Sequence, residues 1–412
     1  MILLMQEWFS SWVKKPVAKR VYLDHAAATP MCVAAREVMA PLLVESFGNP
    51  SAIHTEGQAA QSVIESARAQ VARTLGVRSA GVTFVSGGTE ANALAIVGHL
   101  TARVRAGAAW SDLEVVSTPL EHPSVLATLS ELATRGVTVR MAAVNEVGVV
   151  TPAALTAVLR AQTALITMAY VNSEIGTIQP VSSLVRTVRA FTRAHNLPKI
   201  TVHLDAAQAP LWLPCQLARL GVDTLSLDGG KCGGPKGSGA VVVHGEVALA
   251  PVLWGGGQEH GLRPGTENVL AIAGFAAALA WAQKNVDERA IRVRALRDAG
   301  IDQLQALVPG AVLNGPVGEE RVANNINISI PGLDTEYAVV ALDVAGIAAS
   351  TKSACAGIGG GESVVVRAIT GDAARARSTI RLTLGPDSKA TDIPLVARVL
   401  MDQVALMGTL TQ

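Results

Sequence analysis

The sequence predicts an α/β protein with a mostly parallel main sheet that is covered by helices on both faces. From residue 21 onward, short apolar runs alternate with helical stretches, as in folds that place helices on both sides of parallel strands. The chain has 412 residues, which is enough for two domains and a large core. Half of the residues are hydrophobic and 16% are charged, as is typical of a globular protein.

The elements follow in order along the chain. Apolar runs separated by helical stretches predict strands at residues 82–85, 114–118, 165–171, 200–204, 224–227 and 240–243. Beyond about residue 260 a smaller α+β domain is predicted, with helices at 268–308, 335–344 and from 391 onward, and strands at 327–330 and 378–384. We therefore divide the chain into an N-terminal arm (residues 1–20), a large domain (residues 21–262) and a small domain (residues 263–412).

Residues 1–20 predict an amphipathic arm. Six apolar residues fall near helical spacing there, namely Ile2, Met5, Trp8, Phe9, Trp12 and Val13. Because the segment lacks a positive start and a small-residue cleavage site, it makes a poor signal peptide. We expect it to pack on the body or on a partner subunit. A membrane-surface helix and a targeting leader are the alternatives.

Charge and cysteine content narrow the class of function. The formal net charge is +1 with no long basic run, so we expect no direct nucleic-acid ligand. No apolar run of about 18 residues occurs, so no membrane span is expected. The four cysteines are far apart and have no metal-ligand spacing, so neither a disulfide framework nor a metal site is expected. A reducing compartment, the cytoplasm, fits this usage.

A glycine-rich turn presents Lys231 directly after the strand that ends at Leu227. Glycines on both sides let the backbone approach a bulky ligand closely. A lysine held in an apolar surrounding can lose its proton well below the free pKa of about 10.4 and act as an amine nucleophile. The alternative is a surface turn with a solvated lysine.

Three other junctions between a strand and a helix carry polar groups. Backbone N–H groups of the turn from Ser86 to Thr89, which includes Gly88, can bind a phosphate. Asp205 can pair with a ring nitrogen, and His122 can stack on a planar ring or move protons. Each has a plain alternative, respectively an ordinary glycine turn, a helix cap and a capped histidine. Together with Lys231, they are the parts that a pyridoxal 5′-phosphate (PLP) site needs.

A set of short motifs makes the resemblance specific. They occur in a fixed order along residues 21–385, nearly the whole chain: YLDHAAATP (22–30), GNPS (48–51), SGGTE (86–90), EH (121–122), VNSEIG (171–176), HLD (203–205), Lys231 with GPKG (234–237), GGGQE (255–259), RPGTEN (263–268), SAC (353–355) and IRLTLG (380–385). In this the chain resembles cysteine desulfurases of the NifS/IscS type, within the class V aminotransferases. The resemblance implies the PLP-dependent transferase fold type I and a homodimer.

The resemblance also implies roles for the cofactor-binding residues. Lys231 would bind the cofactor aldehyde as a Schiff base, and Asp205 would pair with the pyridine nitrogen. His122 would stack on the ring and assist proton transfer. The remaining contacts would be Gln208 to the ring hydroxyl, and Gly88 and Thr89 to the phosphate, with Thr266 reaching in from the other subunit.

The resemblance further implies a substrate site and a sulfur-accepting cysteine. Asn172 and Arg381 would hold the substrate carboxylate, a task that suits the planar fork of arginine. Cys355, in a loop of small residues and glycines, would take sulfur from L-cysteine as a persulfide and release L-alanine. Sulfur would then pass to a protein acceptor for iron–sulfur cluster assembly or tRNA thiolation.

Departures from the family pattern keep alternatives open. The family has Ser-x-His before the lysine, where this chain has Asp228 and Gly230, and His260 replaces an arginine. A phosphate beside Asp228 would be repelled by about 1 kcal/mol or more. The alternatives are a selenocysteine lyase, another class V enzyme, or a binding or scaffold protein whose site has decayed.

Overall fold

The computed structural model of the protein describes residues 20–351 and 361–410. Of the predicted N-terminal arm only Arg20 falls within this part of the chain. The predicted nucleophile Cys355 lies outside the described residues.

Seven strands form the main sheet. In chain order they are β2 (Val82–Val85), β3 (Glu114–Ser117), β4 (Thr138–Met141), β5 (Thr163–Ala169), β6 (Thr201–Asp205), β7 (Thr224–Asp228) and β8 (Gly239–Val243). Their order across the sheet is β2-β8-β7-β6-β5-β3-β4. Strand β8 is antiparallel to both of its neighbours, and the other six strands run in one direction. The mostly parallel sheet predicted from the sequence is confirmed.

Apolar side chains cover both faces of this sheet. Val115 and Leu165 belong to one buried cluster, whereas the next residues in each strand, Val116 and Ile166, belong to another. Successive side chains of a strand point to opposite faces, so each face has a core of its own. This is why these strands appear as continuous apolar runs in the sequence.

Helices of the first three hundred residues pack around the sheet. They are α1 (Val33–Glu45), α2 (Thr55–Leu75), α3 (Gly88–Ala93), α4 (His99–Arg105), α5 (Pro123–Thr134), α6 (Pro152–Val158), α7 (Val181–Ala194), α8 (Leu217–Leu220) and α9 (Val269–Lys284). A π-helical turn at Leu94–Gly98 joins α3 to α4, so helical backbone continues from Gly88 to Arg105.

The rest of the chain builds a smaller α+β unit. Strands β9 (Val312–Leu313), β10 (Asn325–Ser329), β12 (Ser350–Thr351) and β13 (Thr379–Thr383) form an antiparallel sheet of order β12-β13-β10-β9. Strands β1 (Val21–Tyr22) and β11 (Ile347–Ala348) form a parallel pair. The remaining helices are α10 (Val286–Leu307), α11 (Thr335–Val344), α12 (Val364–Thr370), α13 (Ala373–Arg377) and α14 (Asp392–Leu410).

The long helical stretch predicted at residues 268–308 is confirmed as helical, but it is not one continuous helix. The stretch is two helices, α9 and α10, that meet at Asn285 at 71°. Helix α9 packs against α1 and α2, and most of its residues are buried, whereas α10 packs against α14. The division at residue 262 remains a prediction, and this packing favours a boundary near Asn285.

Within the described ranges, no single helix is long and apolar enough to cross a membrane. Helices α9 and α10 reach that length and apolarity only when they are counted together across their bend.

Candidate active site

The carboxyl ends of the parallel strands meet at one edge of the main sheet, where a cavity of about 210 Å³ opens. In open α/β sheets this edge is where ligands bind. Seven of the residues predicted from the sequence line this cavity: Gly88, Thr89, His122, Asn172, Asp205, Gln208 and Lys231. They come from five separate segments of the chain, at or near the ends of strands, so it is the parallel sheet that brings them together.

Asp205 is fixed at the end of β6 by two donors. Its Oδ1 accepts a hydrogen bond from the backbone N–H of Ala207 at 3.0 Å, and its Oδ2 accepts from Nδ2 of Asn92 at 2.7 Å. The side chain is mostly buried. A carboxylate held rigidly in this way can face a cationic ring nitrogen, the role predicted for it.

His122 caps helix α5. Its Nδ1 accepts a hydrogen bond from the backbone N–H of Ser124 at 3.1 Å and lies 2.8 Å from the Ser124 hydroxyl. Since Nδ1 is an acceptor, the neutral ring carries its proton on Nε2. Burial, followed by the charge of Lys231, lowers the pKa of His122, so the imidazole is neutral at neutral pH.

A hydrogen-bonded chain connects these two residues. Asn92 donates from Nδ2 to both the Ser124 hydroxyl, at 3.0 Å, and Asp205. The order Asp205–Asn92–Ser124–His122 therefore crosses the floor of the cavity. The sequence analysis assigned no role to Asn92 or Ser124. Asn92 follows the SGGTE motif inside a helix, and the local sequence does not indicate what its side chain contacts.

Glu121, which precedes His122, is a buried carboxyl group that also lines the cavity. Burial, together with the negative charge of Asp205, raises the pKa of Glu121 to about 8. The Thr118 hydroxyl donates to Oε1 at 2.6 Å, and Oε2 is buried without a hydrogen-bond partner among the described residues. A neutral Glu121 at pH 7 adds no second negative charge beside Asp205.

Lys231 ends a single 3₁₀ turn, Gly229–Lys231, that follows β7. A Cβ at Gly229 would lie 2.1 Å from the Ser238 hydroxyl, so only glycine fits this position. The N-terminal motif secures the turn from outside. The Thr29 hydroxyl donates to the carbonyl oxygen of Gly230 at 3.0 Å and accepts from the N–H of Gly233 at 2.8 Å.

The predicted phosphate cradle at the start of α3 holds a carboxylate. The backbone N–H of Gly88 donates to Oδ2 of Asp228 at 3.1 Å, and the N–H of Gly230 donates to Oδ1 at 2.9 Å. Thr89 is exposed and lines the cavity. One donor of the predicted phosphate cradle, the N–H of Gly88, is therefore already engaged by a side chain of the protein itself.

The residues predicted to contact the substrate have structural partners. Asn172 donates from Nδ2 to the carbonyl oxygen of Leu120 at 2.9 Å, and its Oδ1 accepts from the backbone N–H groups of Glu174 and Ile175, each at 2.9 Å. It therefore also shapes the turn after β5. Gln208 donates to the carbonyl oxygen of Ala26 at 2.8 Å.

Arg381 is almost fully buried in β13 and is not among the residues that line the cavity. It donates from Nη2 to Asp24 at 2.9 Å and from Nη1 to the carbonyl oxygen of Ser173 at 3.2 Å. Its Nε is buried without a hydrogen-bond partner in the described part of the chain. The sequence analysis missed the pairing with Asp24, which joins residues 357 positions apart.

Thr266 is exposed and is not among the described residues that line this cavity. Cys355 lies between the two described ranges, and Glu362 and Ser363, a few residues later in the chain, line the cavity. The Ser363 hydroxyl donates to Glu174, which joins the end of this loop to the turn after β5.

The three described cysteines are all free thiols. Cys215 and Cys232 are fully buried, and burial raises the pKa of both thiols. Burial also raises the pKa of the half-buried Cys32. A thiol must ionise to act as a nucleophile, so none of the three is suited to the role predicted for Cys355.

The cavity fits one end of PLP better than the other. Asn92 Oδ1, Glu121 Oε2 and Arg381 Nε are buried without a hydrogen-bond partner among the described residues, as expected around a site that receives a polar ligand. Lys231, Asp205 and His122 suit the aldehyde and the ring. At the phosphate end, the carboxylate of Asp228 does not fit a second anion as it stands.

Comparisons with known proteins agree with this geometry. The family described as aminotransferase class-V matches residues 21–396. A relative named cysteine desulfurase IscS, from Dictyoglomus turgidum, is 35% identical over 393 residues, which covers 95% of this chain and 96% of the relative.

Two solved structures are similar over most of the chain. One, described as a NifS-like protein, superposes with a TM-score of 0.85 at 30% identity and covers 94% of this chain and 100% of its own. The other, described as SspA in complex with cysteine, has a TM-score of 0.73 at 30% identity and covers 89% and 99%. The chain belongs to the class-V aminotransferase family.

Proposed function

We propose that the protein is a PLP-dependent cysteine desulfurase that converts L-cysteine to L-alanine and passes the sulfur to Cys355. The observation that carries the proposal is the convergence of Lys231, Asp205 and His122 on one cavity at the carboxyl edge of a parallel sheet. The names of the similar proteins, cysteine desulfurase IscS and a structure that contains cysteine, support the same reaction and substrate.

PLP, when bound, supplies an aldehyde for the substrate amine and a ring that accepts electrons from the substrate. Asp205, held by Asn92 and Ala207, would keep the ring nitrogen protonated. Lys231 would hold the aldehyde end and would move a proton at the substrate α carbon. His122, with its proton on Nε2, lies beside it and assists that transfer.

The substrate carboxylate is held by Arg381 and Asn172 in this proposal. The buried, unpaired Nε of Arg381 supports a site for an anion near the cavity. In the free protein Asp24 neutralises the guanidinium. A substrate carboxylate therefore competes with Asp24, and the two N–H groups of one guanidinium edge are the donors it can engage.

Sulfur transfer requires a thiolate that can reach the cavity. Cys355 lies seven residues before Glu362, which lines the cavity, so a fully extended tether reaches at most about 25 Å. Its sulfur bonds to the substrate sulfur as the substrate C–S bond breaks. Cys355 becomes a persulfide, and the carbon skeleton takes up a proton to leave as alanine. A protein acceptor of iron–sulfur cluster assembly or tRNA thiolation then removes the outer sulfur.

The proposal includes a homodimer, because the exposed Thr266 is then available to the site of a second copy. Large apolar side chains are exposed close together in the sequence at Leu43, Val44, Phe47 and Ile53, which is unusual for a monomer. A light-scattering mass equal to that of one chain would contradict the homodimer.

The described cysteines are free, which supports a reducing compartment, the cytoplasm. Desulfurase activity found only in an exported form of the protein would contradict the cytoplasmic location.

The test is to measure alanine and sulfide formed from L-cysteine with PLP and a reductant. The wild type is expected to form both. Lys231→Ala is expected to lose the visible absorbance of lysine-bound PLP and the activity, whereas Cys355→Ser keeps the absorbance and loses sulfide release. Cys32→Ser is the matched control and is expected to retain both. Normal sulfide release by Cys355→Ser would refute the nucleophile, and absorbance without alanine would indicate a different amino acid substrate.

A further inference from the structure

Asp228 occupies a position where the site would receive the negative end of its cofactor. It ends β7 three residues before Lys231, and each of its carboxylate oxygens accepts one backbone hydrogen bond, from Gly88 and from Gly230. A Cβ at Gly88 would lie 3.2 Å from Oδ2, so the carboxylate is in contact with the backbone at the start of α3. A phosphate cannot occupy the same place at the same time.

The start of α3 attracts an anion for a physical reason. Its first N–H groups have no partner within the helix, and helical backbone continues without interruption to Arg105, so the partial positive charge of a long helix is concentrated there. In Asp228 the protein supplies that anion itself. The donor of Gly88 is satisfied before any ligand arrives.

The charge of Asp228 is not neutralised by a salt bridge within the described residues. Gly230, its hydrogen-bond partner, has no side chain that could offset a second anion. A cofactor phosphate brought to Gly88 and Thr89 would therefore meet a fixed negative charge of the same sign.

We propose that Asp228 is a built-in competitor of the cofactor phosphate and sets the preference of this pocket between phosphorylated and unphosphorylated pyridoxal. A phosphorylated ligand binds only after the carboxylate leaves Gly88. An unphosphorylated one engages Lys231, Asp205 and His122 with the carboxylate in place. The inference rests on the proposed function, because it assumes that this cavity binds a pyridoxal ring.

The experiment measures dissociation constants of the full-length apoprotein for PLP and for pyridoxal, by visible absorbance and by equilibrium dialysis. The variants are Asp228→Asn, which keeps the size and one acceptor, and Asp228→Ser, which shortens the side chain. Asp334→Asn is the control. Asp334 is also a carboxylate that accepts two backbone N–H groups, those of Glu336 and Tyr337, but at the start of α11.

Both Asp228 variants are expected to bind PLP at least tenfold more tightly than the wild type, with the affinity for pyridoxal changed less than threefold. Inorganic phosphate is expected to compete with PLP more strongly in these variants than in the wild type. Asp334→Asn is expected to match the wild type for both ligands.

Equal affinity of the wild type and both Asp228 variants for PLP overturns the proposal and leaves the PLP site standing. An equal gain for PLP and pyridoxal also overturns it, because the effect would then not arise at the phosphate. If no protein in the set binds either ligand, the proposed function fails and this inference fails with it.

Discussion

A buried ion pair, Arg68 with Glu259, offers a quantitative test of how the segment around Glu259 is held against helix α2 and strand β2. Both N–H···O distances of the bidentate pair are 2.8 Å, and the two side chains are 4% and 1% exposed. Arg68 also donates to the carbonyl oxygen of Val82, and Glu259 accepts from the N–H of Phe84 at 2.8 Å. Burial alone lowers the pKa of Arg68, but the hydrogen bond and charge of Glu259 outweigh it and raise the pKa.

The pair also holds an unfavourable backbone. Glu259 and His260 both have positive φ angles, 48° and 58°, although neither is glycine. Glu259→Ala removes the buried partner of Arg68 and leaves the guanidinium only the half-exposed Glu65, at 3.2 Å from Nε, so we expect it to lower the free energy of unfolding by about 3 kcal/mol. Arg68→Ala leaves a buried carboxylate and is expected to cost a similar amount.

The assay is urea unfolding followed by far-UV circular dichroism. Every variant is measured at one protein concentration, because the stability of the proposed dimer would depend on concentration. The double variant Arg68→Met with Glu259→Leu is expected to lose clearly less than the sum of the single variants, since neither charge is then left alone. Glu131→Ala is the control. It removes the exposed pair with Arg135, in which the side chains are 44% and 61% exposed, and is expected to change stability by less than about 1 kcal/mol.

A loss below about 1 kcal/mol for Glu259→Ala would refute the reasoning, because the remaining charge would then be solvated. Additive losses in the double variant would refute it too, since the two residues would then act independently.

Two further predictions concern the cavity floor and the surface. The pKa of Glu121 is raised to about 8, so the folded protein binds this proton more tightly than the unfolded chain does. The protonated carboxyl therefore contributes stability that is fully present below a pH of about 4.3 and is lost as the pH rises through about 8. In urea unfolding, the free energy of unfolding of Glu121→Gln is expected to rise relative to that of the wild type by up to about 1.4 kcal/mol per pH unit across that window. A difference between the two proteins that does not change with pH would contradict the raised pKa. Phe47→Asp places a charge at a side chain that is 79% exposed and is expected to shift the light-scattering mass from dimer toward monomer, with Glu45→Gln as the control. An unchanged mass would place the subunit contact elsewhere.

Most of the fold could be predicted from local patterns. The strands of the main sheet are apolar runs because both of their faces are buried, and this signal is contained within each run. The predicted helix at residues 335–344 coincides with α11. The long helix at residues 268–308 could not be divided from the sequence alone. Its two halves are both helical in pattern, and the bend at Asn285 arises because α9 and α10 pack on different partners.

The candidate site was predictable where a motif identifies a residue type at a junction. Lys231, Asp205, His122, Thr89 and Gln208 all line the cavity. Their supporting partners were not predictable. The contacts of Asn92 with Ser124 and Asp205, and of Asp24 with Arg381, join residues that are 32 to 357 positions apart, and no local signal encodes such a pair.

The sequence by itself determined the family, the order of strands and helices, and which side chains could carry PLP chemistry, because periodicity and motifs are local properties of the chain. Only the tertiary structure decided which of these groups meet. It placed Asp205 and His122 in one hydrogen-bonded chain and joined Arg381 to Asp24. It also directed the carboxylate of Asp228 toward the N–H of Gly88, in the predicted phosphate cradle. The sequence showed only that Asp228 departs from the family pattern near Lys231. The physical reason is that hydrogen bonding, burial and charge act through space over a few ångströms, and the fold alone sets those distances.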